Sequence, residues 1–141
     1  HYGLLKAEVS LLDGTPEESL AAAVRLRLPV FSGLLTDALS NYNFPMIKDV
    51  LARAYWRAGK LDAAAAEYRK LMTIDPSSGN RFLIHPLYHY RLGRILEEKG
   101  DRMGAVVEFK KFLVLWKDAD RIFPEPADAR KRLAALEQAS R

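Results

Sequence analysis

Apolar positions in this chain recur at intervals of three and four, the spacing that gathers them on one face of an α-helix. The pattern is clearest from Pro45 to Ser78. Val50, Leu51, Ala54 and Tyr55 form one stripe that ends at Gly59, a natural helix stop. After a very short turn, Ala64, Tyr68 and Leu71 form a second stripe over 61–73, which stops at Asp75-Pro76. This spacing predicts a helical hairpin.

The same grammar returns between Pro86 and Asp118. Leu92, Gly93 and Leu96 precede Gly100, and Ala105, Phe109 and Phe112 stand at the distances from Gly100 that Ala64, Tyr68 and Leu71 hold from Gly59. Ala52 and Tyr55 correspond in turn to Gly93 and Leu96. A small residue on each helix allows two backbones to approach, large side chains fill the flanks, and the glycine takes the left-handed conformation that closes the first helix.

The amino-terminal part is a weaker copy. Leu4, Ala7 and Leu11 form a helical stripe, and Thr15 and Pro16 read as an N-cap and first helical position. Ser10 falls where Tyr55 and Leu96 stand, and Ser19 where Ala64 and Ala105 stand, so residues 1–28 read as a degenerate repeat. Phe31, Leu34, Leu35 and Leu39, bounded by Pro29 and Pro45, predict a short linker helix over 29–44. Residues 122–126 break the last hairpin. Ala129, Leu133 and Leu136 then predict a terminal capping helix over 126–139, which a repeat array needs to cover its last apolar face. The expected chain is one all-α domain over 1–141.

The run Leu51-Ala52-x-x-Tyr55, Gly59, Ala64, Tyr68, Leu71, Pro76 resembles a tetratricopeptide repeat, and so does the unit over 86–119, with Lys117 where the terminal proline often stands. The two units lie 41 positions apart, so an insertion around Ser77 to His85 lengthens the joint. The resemblance implies an α-α superhelix of about three hairpins with a capping helix. It also implies that the first helices line a concave groove and carry the partner contacts. Carried over by position, these are Asp49, Arg53, Trp56 and Arg57 in one unit and Tyr90, Arg94, Glu97 and Glu98 in the next. A more specific likeness covers Tyr88 to Leu136, above all Trp116-Lys117-Asp118-Ala119-Asp120. It is similar to the carboxy-terminal repeat block of bacterial multidomain regulators that bear a serine/threonine kinase, a nucleotide cyclase or a winged-helix domain.

Composition narrows the function. Hydrophobic residues are 49% and charged residues 28%, the balance of an ordinary globular chain. No apolar run approaches the ~18 residues needed to cross a bilayer. With no cysteine there is no disulfide, thiol chemistry or cysteine-ligated zinc. His1 in the first position reads as a fragment of a longer chain or a processed product, and the expected compartment is the cytoplasm, with the periplasm left open. The 22 basic residues are interleaved with 18 acidic ones and not gathered in a stripe, which argues against nucleic acid.

Arg53 and Arg57 are four apart, so both guanidinium groups can meet one acidic ligand, and Trp56 beside them is interface-like. Arg94 stands at the position of Arg53 and would extend the basic line; its alternative partners are Glu97 and Glu98. His85 and His89 have a metal-compatible spacing, but Pro86 places His85 at a helix start, and capping or packing is the better reading. Phe109, Phe112 and Trp116 fall on a core stripe. Lys110-Lys111 and Arg130-Lys131-Arg132 are solvated faces. No phosphate loop, nucleophile elbow or paired-carboxylate motif occurs, so no catalytic residue, metal or cofactor is expected. The expected function is binding of a protein or peptide, acidic in character, or of another domain of the same chain. Oligomerisation or an internal structural role is the alternative.

Overall fold

A computed structural model describes residues 2–26, 48–73, 84–118 and 122–139. These residues form an all-α helical-repeat fold with seven helices and no strand among them. The helices are α1 (Tyr2–Asp13), α2 (Pro16–Val24), α3 (Val50–Arg57), α4 (Leu61–Leu71), α5 (Leu87–Glu98), α6 (Arg102–Leu115) and α7 (Glu125–Gln138). The expected linker helix over 29–44 and most of the long joint after Ser77 lie outside the described residues. Contacts group the chain into two compact units, His1–His85 and Pro86–Arg141.

In the first unit α1 and α2 form a hairpin, and α3 packs against both before pairing with α4. Thr15 starts α2 with a full capping box. Its hydroxyl accepts from Glu18 N–H at 3.2 Å, and the Glu18 carboxylate accepts from Thr15 N–H at 2.8 Å. Ser19 is fully buried where the other hairpins carry alanine. Its hydroxyl sits between the carbonyl oxygens of Ser10 and Thr15, the latter at 2.9 Å, so the extra polar group is satisfied locally. In the second hairpin Ala52, Ala54, Ala64 and Ala65 are buried, which lets the two backbones approach around the enclosed ring of Tyr68.

In the second unit α5 and α6 repeat this hairpin and α7 packs on α6. Gly59 and Gly100 close the first helices of the two central hairpins with φ of 70° and 83°, the left-handed region that glycine adopts without strain. Gly93 serves a different purpose: a Cβ there would lie 2.9 Å from the ring of Phe109. Phe109 and Phe112 are fully buried, and Tyr90, Phe112, Trp116 and Phe123 form a chain of tilted rings 5.2–5.3 Å apart. On α7, Ala129 and Leu136 face inward, while Arg130, Lys131, Glu137 and Gln138 are exposed.

Candidate interaction surface

The first helices α3 and α5 carry all the residues singled out from the sequence except Asp49, which immediately precedes α3. Asp49 is completely buried. Its Oδ2 accepts a 3.0 Å hydrogen bond from the Tyr68 hydroxyl, and its Oδ1 accepts a 2.9 Å bond from Arg53 Nε. The rest of the Arg53 guanidinium forms a two-pronged pair with Glu8 of α1, one arm at 3.0 Å. Burial works against the Arg53 charge. The hydrogen bond with Glu8 and the negative charges of Asp49 and Glu8 outweigh it, and the pKa rises.

Arg57, one turn further along, donates to the carbonyl oxygens of Ser10 (3.1 Å), Leu11 and Gly14. These carbonyls lie at the C-terminus of α1, where the backbone dipole favours a cation; that of Ser10 also accepts from Gly14 N–H at 3.0 Å. Arg53 and Arg57 therefore share a face, as their spacing requires, and that face is engaged with α1. Trp56, between them in sequence, is half-buried.

The second unit contains a related arrangement. Arg132 of α7 pairs with Asp128 on its own helix at 2.6 Å and reaches Glu97 of α5 at 2.7 Å. The Tyr90 hydroxyl donates to Asp128 at 2.7 Å, and the charge of Arg94 acts on both groups. Burial would raise the Asp128 pKa, but the bonds from Tyr90 and Arg132 hold it below the ordinary carboxylate value. Tyr90, Arg94 and Glu97 thus belong to one cluster with α7, whereas Glu98 is exposed at the end of α5. In each unit an Asp–Arg pair four residues apart reaches a glutamate on an earlier first helix.

No motif in the sequence singles out Glu8, Asp128 or Glu108, and Arg132, expected on a solvated face, is instead half-buried and paired with Asp128 and Glu97. The four-residue spacing of Asp128 and Arg132 and the three-residue spacing of Glu108 and Lys111 are usable signals; Glu8 carries none, because its partner Arg53 is remote in sequence. His89 Nδ1 lies 2.6 Å from Glu108 Oε2, and Lys111 holds the other oxygen at 2.9 Å. His89 thus packs within the α5/α6 hairpin. No cluster of metal-ligating side chains occurs among the described residues. Lys110 pairs with Glu137 at 2.8 Å, so the Lys110-Lys111 pair is tied into local ion pairs.

Residues 49–78 match the family model of the tetratricopeptide repeat. The match covers the α3/α4 hairpin, with Gly59 at its turn and Tyr68 in its core. No curated protein matches the chain. No helix among the described residues is long and apolar enough to cross a membrane.

Proposed function

We propose that this chain is a non-catalytic protein-interaction module, part of a larger regulatory protein, that holds a peptide, helix or domain against the first helices of its hairpins. The observation that carries this reading is the tetratricopeptide match over 49–78, in a fold whose next hairpin repeats the same small-residue packing and glycine closure. Trp56, half-buried on α3, and Glu98, exposed at the end of α5, are the contact residues that this reading puts first.

A second reading has an observation of its own. Asp49, Arg53, Arg57, Tyr90 and Glu97 are bonded within their own units, which favours a structural role for those five. The partner surface then consists of the remaining first-helix positions. Photo-crosslinking side chains at Trp56 and Glu98, compared with Arg69 and Met103 on second helices, test the proposal. Partner proteins crosslinked from the first pair support it. Crosslinks confined to the second pair overturn it.

A further inference from the structure

Gly3, Lys6, Ala21, Ala22, Arg25 and Leu26 line an open groove of about 690 Å3 along the α1/α2 hairpin. Glycine and alanine make its floor, which lets another backbone come close, while Lys6 and Arg25 are exposed on its rim. Gly3 sits against Leu26, with a Cβ there reaching Leu26 at 3.4 Å, and this contact marks the open end of the hairpin. Residues 27–47, which lie outside the described residues, leave from that end. They also come back to it. Arg53 of α3 meets Glu8, and Arg57 meets the carbonyls of Ser10, Leu11 and Gly14, so α3 runs in the direction of α1 and begins beside its start.

A segment tethered by both ends to one end of a hairpin stays within reach of that hairpin. One face is taken by α3, through Glu8 and the C-terminus of α1. The length suits the groove. About twelve helical residues match the roughly 18 Å of α1, and about six extended ones return over the same distance, which the 21 residues of 27–47 accommodate. The sequence divides in the same way: Phe31, Leu34, Leu35 and Leu39 stand at helical spacing, and Asn41, Asn43 and Pro45, which disfavour a helix, follow. Asp37 is the only carboxylate of 27–47. We infer that the groove docks residues 29–44 of this same chain, with the leucines on the glycine and alanine floor and Asp37 toward the rim of Lys6 and Arg25. A helix from another molecule is the poorer occupant, because it competes with a neighbour tethered at an effective concentration on the order of millimolar.

The inference goes beyond the interaction-module reading and uses none of its contact residues, so crosslinking at Trp56 and Glu98 is decided separately. The whole chain has no cysteine, which allows a directed disulfide. Ala22→Cys lies in the groove, whereas Val24→Cys is exposed on α2, nearer the tether but outside the groove lining. Each is combined in turn with Leu34→Cys, Leu35→Cys and Ala38→Cys. Mild oxidation at low micromolar concentration, followed by non-reducing gel mobility and peptide mass mapping, reads the rate of each monomeric disulfide. At least one segment position closes on Ala22→Cys about tenfold faster or more than on Val24→Cys. Lys6→Glu/Arg25→Glu slows that closure, and adding Asp37→Lys restores it. Ala21→Cys takes the place of Ala22→Cys if circular dichroism shows lost helicity. Equal rates from the two α2 positions, no monomeric disulfide, or a charge reversal without effect overturns the inference. A disulfide that forms only between molecules puts a second copy in the groove and overturns it too.

Discussion

The Tyr68 hydroxyl donates a 3.0 Å hydrogen bond to Asp49, a carboxylate with no solvent exposure, from a ring that is itself fully buried. Asp49 thus joins the two helices of its hairpin and, through Arg53, the hairpin to α1. Tyr68→Phe keeps the ring and removes the donor to a buried charge. It should lower stability by about 1.5–3 kcal/mol, read as a shifted denaturant midpoint with unchanged slope. No shift would mean that Asp49 is satisfied without Tyr68.

Gly93 is held to glycine by the ring of Phe109. Gly93→Ala gains helix propensity of about 1 kcal/mol, yet it sets a methyl 2.9 Å from the ring, and overpacking of a filled core costs about 1–3 kcal/mol. The expected result is net destabilisation that Phe109→Leu partly relieves. A more stable Gly93→Ala chain would show that the ring moves aside freely.

The acid limb of the second unit should depend on Glu108. Burial alone would raise its pKa, but the hydrogen bonds with His89 and Lys111 outweigh burial and lower it. A carboxyl whose folded pKa lies below its unfolded value of about 4.5 stabilises fully above that value. The contribution is lost as pH falls through the folded pKa. Glu108→Gln should therefore cost about 1 kcal/mol at pH 7 and progressively less below pH 4, followed by Trp116 fluorescence in a Trp56→Phe background. A difference that stays constant down to pH 3 would contradict this.

The two central hairpins were legible in the sequence because their determinants are local. Gly59 and Gly100 sit at helix ends, and Ala64, Tyr68, Ala105 and Phe109 fall on faces fixed by helical spacing. Ser19 broke the pattern because a hydrogen bond to nearby carbonyls replaces the small apolar contact, which residue type alone does not reveal. The surroundings of Arg53 and Arg57 were the least legible. Their spacing shows that they share a face but not what the face meets, since Glu8 lies 45 positions away and the α1 carbonyls are backbone groups. Arginines that close a neighbouring helix and arginines that await an acidic ligand look alike in sequence.

Arg53 and Arg57 of α3 bind the two hairpins of the first unit together. The decisive measurement is urea unfolding, followed by Trp56 fluorescence in a Trp116→Phe background, of Arg53→Met, Glu8→Gln and the double variant. Arg53→Met should cost roughly 3 kcal/mol by leaving Asp49 buried without its cation, and the double variant should be less destabilised than the sum of the singles. Unfolding unchanged by Arg53→Met, with additive singles, would contradict the claim and return Arg53 to the partner surface.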